Sequence, residues 1–145
     1  MIWAYLLALG AGVSFVFQQA VNGNLRAELG SAWWAGFISY LGGTMVMLAV
    51  ALALREPATW ATAISQGRWM SWSGGVFGAI YIAVSIFLVP RLGAATVIGL
   101  IVAGQMLCSL AFDQFGLFGL PVHGLTPLRA VGAALLVSGV VLIRL

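Results

Sequence analysis

The sequence predicts an all-α integral membrane bundle of five transmembrane helices, a single domain over residues 1–145. Three observations carry that expectation. Hydrophobic residues make up 63% of the chain and charged residues only 6%, which no soluble domain of ordinary composition matches. Mean hydropathy is +1.12. The apolar residues also gather into stretches at about 2–21, 32–54, 69–89, 94–112 and 127–143, each able to cross a hydrocarbon layer roughly 30 Å thick.

The first span opens with Trp3 and Tyr5, residues suited to a membrane interface. It lacks the basic start and small-residue cleavage site of a signal peptide, so it is expected to stay in the mature protein. Gln18, Gln19 and Asn22 stand near its end, with Gln18 and Asn22 one turn apart on one face. An unpaired amide in hydrocarbon costs roughly 2–7 kcal/mol, so these groups must face other helices or a wet cavity. Interhelical bonding and ligand contact both satisfy that demand.

Gly23 to Ser31 reads as a short link that returns the second span antiparallel to the first. The second span starts with Trp33 and Trp34 and carries Gly42 and Gly43 midway, a pair suited to close packing or a bend. The polar stretch from Arg55 to Arg68 can hold a short surface helix begun by Pro57, with Trp60 at the interface.

The third span carries Gly74 and Gly78 as a small-xxx-small pair, then Tyr81 and Ser85. Pro90 is expected to end it, since proline offers no amide hydrogen and disfavours helix in the residue before it. In the fourth span Gln105, Ser109 and Asp113 follow at i, i+4 and i+8, while Ala95, Gly99 and Ala103 line a neighbouring face for close helix approach. Cys108, the single cysteine, excludes an internal disulfide and reads as a small packing residue.

From Gln114 to Leu125 the chain is too rich in glycine and proline to span, and His123 reads as a loop residue. Thr126 and Pro127 form a good helix start, as cap and first residue. In the fifth span Ala130, Ala134 and Ser138 recur every four residues and Gly132 and Gly139 lie seven apart, the pattern of an assembly helix.

The pI near 9.8 comes from six arginines and no lysine, scattered singly between apolar segments. That distribution belongs to membrane interfaces in contact with lipid and argues against nucleic acid as a partner. With five spans, Arg26, Arg91 and Arg144 fall on one side and Arg55, Arg68 and Arg129 on the other. An even count gives the positive-inside rule nothing to act on. The expectation is insertion in both orientations and an antiparallel homodimer, whose ten helices form the inverted repeat common among secondary transporters.

No catalytic grouping stands out. Glu28, Glu56, Asp113 and His123 are the candidate acids and bases and none lies mid-span; there is no Cys/His metal cluster and no phosphate loop. An enzyme is not expected, nor a catalytic residue, cofactor or metal. Asp113 can take up a proton or meet a cation, or it can pair with an arginine such as Arg26 or Arg91. Tyr40, Phe77 and Tyr81 are the aromatic candidates for lining a cavity.

The Gln18 region, GGVFGAIY from Gly74 to Tyr81, GAAT from Gly93 to Thr96, AGQ from Ala103 to Gln105, Asp113, and VHGLTPLR into the last span together resemble a known family. It is the YdcZ-like five-helix branch of the drug/metabolite transporter superfamily, multi-pass proteins of the bacterial inner membrane described as exporters. The resemblance covers nearly the whole chain. More distantly, GAALLVSGV from Gly132 to Val140 is similar to the glycine-patterned helix through which small multidrug resistance transporters form dimers. Those proteins hold a membrane-embedded glutamate in the first helix, where this chain has Gln18, and glutamine cannot titrate.

The resemblance therefore implies secondary active export of a small amphipathic or polar molecule by alternating access, without simple carboxylate exchange against protons. The expected substrate-binding residues are Gln18, Asn22, Tyr81, Gln105 and Asp113. The competing readings are a non-transporting accessory subunit and a transporter half that pairs with a homologous chain.

Overall fold

The computed structural model describes residues 2–145, the Gln66 side chain excepted. Its regular elements are all helices, with no strand among the described residues. The helices are α1 Ile2–Leu29, α2 Ala32–Ala53, the short α3 Trp60–Gln66, α4 Gly74–Leu92, α5 Ala94–Phe115 and α6 Pro127–Arg144. A 3₁₀ turn, Trp69–Trp72, precedes α4, and together they make one span, Trp69–Leu92. With α1, α2, α5 and α6 that gives, among the described residues, five helical segments long and apolar enough to cross a membrane. The chain divides into two compact units, one running to Pro90 and the other from Arg91 to Leu145.

In the first unit α1 runs well past residue 21, so the expected link from Gly23 shrinks to Gly30 and Ser31. Ala27, Glu28 and Leu29 are good helix formers, and Arg26 in the last turn complements the helix dipole. Gly30, at φ +66°, supplies the left-handed residue that stops the helix without a Cβ clash. Ser31 then caps α2, its hydroxyl accepting from Trp34 N at 3.3 Å.

α1 packs against α2. The core of the unit is Ala32, Ala35, Ile82 and Ile86, with Leu25, Tyr81 and Phe87 against it. Alanine on α2 faces isoleucine on α4, and Gly36 also stands opposite Ile82 and Ile86. These small residues leave room for the two isoleucine side chains. Trp33 meets Phe87 edge to face, their centroids 5.7 Å apart. A Cβ on Gly78 would fall 2.5 Å from the Tyr40 hydroxyl, so half of the Gly74/Gly78 pair makes a close contact. Gly42 and Gly43 have no close neighbour, and α2 passes through them unbroken.

Two boundaries differ from the sequence expectation. The surface helix α3 begins at Trp60, not Pro57. Pro90 lies inside the last turn of α4, which continues to Leu92, so the proline does not end the helix. The reason is tertiary: a proline ring leaves the carbonyl four residues earlier without a donor, and here that carbonyl finds another on α1.

In the second unit α5 packs on α6. Gly99 meets Val140, and Thr96, Val97, Ala103, Ala133 and Val140 are buried. Of the close-approach face expected of Ala95, Gly99 and Ala103, the last two are used within the chain and Ala95 stays exposed. Ala130, Ala134 and Ser138 stay exposed, and Gly132 and Gly139 have nothing near them. Cys108 is exposed rather than packed. Thr126 caps α6 as expected, accepting from Arg129 N at 3.3 Å.

Candidate functional site

Phe15, Gln19, Asn22 and Arg26 recur at i, i+4, i+7 and i+11 and so share one face of α1. Three of them meet α4. Phe15 stacks on Tyr81 with centroids 5.2 Å apart. Gln19 Nε2 donates to the Tyr81 hydroxyl at 3.0 Å. Arg26 Nη1 donates to the Ile86 carbonyl at 2.7 Å, with its guanidinium 5.2 Å from the centre of the Phe87 ring. Ile86 is four residues before Pro90, so Arg26 occupies the acceptor that the missing proline N–H leaves open.

Gln19 is 1% exposed and Asn22 3%, yet Gln19 Oε1 and Asn22 Nδ2 have no partner among the described residues. Leaving a buried donor or acceptor unpaired costs about 1–3 kcal/mol, so both atoms are poised to take a partner.

Gln18 sits elsewhere on α1. It lines an open groove of about 540 Å³ with Ser39, Tyr40, Gly43, Thr44, Met47 and Leu48 of α2. Four of these side chains carry neutral hydrogen-bonding groups, and the methionine and leucine give an apolar wall. A second groove, about 340 Å³, is lined by Gly23, Arg26, Ala27, Gly30 and Pro90.

Of the residues expected to bind substrate, the first unit holds Gln18, Asn22 and Tyr81. Tyr81 is tied to the Asn22 face through Gln19, while Gln18 opens on the groove. Gln19 belongs to the polar cluster and was not among the expected site residues. Its signal in the sequence was the three-residue spacing to Asn22, which puts two amides on one face as well as the four-residue spacing of Gln18 does. Tyr40, a lining candidate, does line the groove.

The second unit holds Gln105 and Asp113. Gln105 and Ser109 are exposed along one side of α5, and the line ends at Asp113. Asp113 pairs with Arg129, not with Arg26 or Arg91. Around that pair the loop folds back on α5. His123 N donates to the Asp113 carbonyl at 2.8 Å, Leu125 N to Gln114 Oε1 at 2.6 Å, and Arg129 Nη1 to the His123 carbonyl at 2.9 Å. Of the two roles open to Asp113, ion pairing is the one present. His123 takes part through its backbone. Among the described residues no three His, Cys, Asp or Glu side chains group to hold a metal ion.

Around Gln18, Gln19 and Asn22 the arrangement offers mainly neutral hydrogen bonding, from amides, hydroxyls and aromatic surface, with Arg26 the one charge on the α1 face. Comparison with known proteins identifies the family. Residues 3–142 match the family described as "Putative inner membrane exporter, YdcZ". The chain is 28% identical over 136 residues to the inner membrane protein YdcZ of Escherichia coli (strain K12), covering 94% of this chain and 89% of that one. No solved structure matches. A family match over nearly the whole chain, on five apolar spans with neutral polar groups within them, places this multi-pass inner-membrane protein in the YdcZ family.

Proposed function

We propose that the chain exports a small amphipathic or polar metabolite by alternating access, working as an antiparallel homodimer whose ten helices form an inverted repeat. The observation that carries this reading is the groove on Gln18, where Ser39, Tyr40 and Thr44 add neutral hydrogen-bonding groups beside apolar Met47 and Leu48. Such a surface selects an uncharged or internally balanced molecule with both polar and apolar parts. Gln18, Asn22 and Tyr81 are the contacts of the first unit and Gln105 that of the second. Asp113 is assigned to closing the loop between α5 and α6 through Arg129. Three arginines against three support insertion in both orientations.

Purified protein in proteoliposomes tests the site. Gln18→Ala and Gln105→Ala should each weaken substrate binding about tenfold, the worth of roughly one hydrogen bond, while size-exclusion profiles stay unchanged. Normal transport by both variants would reject these contacts. Orientation is tested separately, with C-terminal reporters active only inside or only outside the cell. Signal from both sides is expected; signal from one side alone removes the antiparallel homodimer.

A further inference from the structure

We infer that Gln19 and Asn22 form an occluded binding site for one neutral group of the transported molecule, an amide or a hydroxyl that donates and accepts hydrogen bonds together; this rests on the transporter reading above. Two buried atoms point to it. Gln19 Oε1 is an unpaired acceptor and Asn22 Nδ2 an unpaired donor, on side chains 1% and 3% exposed. Three residues apart on a helix, their Cβ atoms are separated by about 5–6 Å, a span that one small group can bridge.

The two atoms together favour a neutral guest. A carboxylate can serve only Asn22 Nδ2 and an ammonium only Gln19 Oε1, each leaving the other atom unpaired. A group with one donor and one acceptor satisfies both. No acid lies on this face of α1, and Arg26, the next residue along it, is engaged by the Ile86 carbonyl.

The position along α1 suits a site that alternates. Gln18, the residue before Gln19, lines the larger groove, and Gly23, the residue after Asn22, lines the smaller one. Along α1 the buried pair is thus flanked in sequence by one residue of each groove, at about 1.5 Å of rise per residue. What closes the site is the packing of α1 on α4. The bond from Gln19 to Tyr81 and the bond from Arg26 to the Ile86 carbonyl are the polar contacts that opening must break.

The test uses the full-length protein in detergent and three probes of equal chain length: hexanamide, hexanoate and hexylammonium. At ten times its dissociation constant hexanamide should raise the unfolding midpoint by about 4 °C, and the two ions should not. The shift should vanish in Gln19→Leu and Asn22→Leu and persist in Cys108→Ala, which lies away from these residues in the sequence. If the leucine variants fail to fold, Asn22→Ala, which removes the donor without adding bulk, serves in their place.

Equal shifts from all three probes, a shift that survives the Gln19 and Asn22 substitutions, or no hexanamide shift at all would each overturn the site. The last is the outcome expected if a water molecule alone satisfies the two amides. A missing hexanamide shift, with transport still impaired by Gln18→Ala, removes this site and leaves the transporter reading standing. A hexanamide shift without solute flux in proteoliposomes does the reverse.

Discussion

Arg26→Leu is expected to destabilise the first unit by about 2–4 kcal/mol, the sum of a charge-assisted hydrogen bond and a cation–π contact. The bond is Arg26 Nη1 to the Ile86 carbonyl at 2.7 Å, and the ring is Phe87. Ile86 is 1% exposed, so water cannot readily replace the lost donor. A proline at position 90 removes the amide that would normally serve this carbonyl, which is why one distant arginine matters so much.

The same reasoning supplies a rescue. Pro90→Ala restores an N–H four residues after Ile86, so alone it should change little, because Arg26 already occupies the acceptor. In the Arg26→Leu background it should return about 1–2 kcal/mol, the worth of a backbone hydrogen bond. Thermal or denaturant unfolding in detergent of the four proteins gives the coupling directly. Strictly additive effects would show that Arg26 does not serve the proline-freed carbonyl.

Gly99→Leu is expected to cost the second unit about 1–3 kcal/mol through overpacking. A Cβ on Gly99 would stand 3.2 Å from both methyls of Val140, and Val140 is 7% exposed and stiff at χ1. Gly99→Ala is the informative contrast. Alanine gains up to about 1 kcal/mol in helix propensity, which offsets a displacement of a few tenths of an ångström, so this variant should be nearly neutral. Leucine adds bulk that the α5 to α6 contact cannot absorb, though its helix propensity is also good. A Gly99→Leu protein as stable as wild type would mean that α6 moves freely off α5.

The spans were legible because crossing a bilayer imposes a one-dimensional requirement, some 20 apolar residues in a row. The cap at Thr126 and the small face at Gly99 were legible for the same kind of reason, since both depend on neighbours within a helix turn. Less was legible at the ends. The extension of α1 to Leu29 rests on residues that read equally as a polar link, and Pro90 looked like a terminator because its compensating donor lies 60 residues or so away in the chain, at Arg26. Likewise Asp113 read both as a substrate contact and as a partner for Arg26 or Arg91, since the fold of the 114–125 loop decides which arginine arrives.

By itself, then, the sequence determined an all-α, five-span membrane protein with neutral polar groups inside the spans, because length, hydropathy and the scarcity of charge are properties of the chain alone. Tertiary structure decided which amide is buried. Gln18 and Gln19 are adjacent, but successive residues on a helix point about 100° apart. Only the packing of α4 on α1, through Tyr81, Ile86 and the carbonyl that Pro90 leaves open, turns Gln19 inward and leaves Gln18 facing the groove.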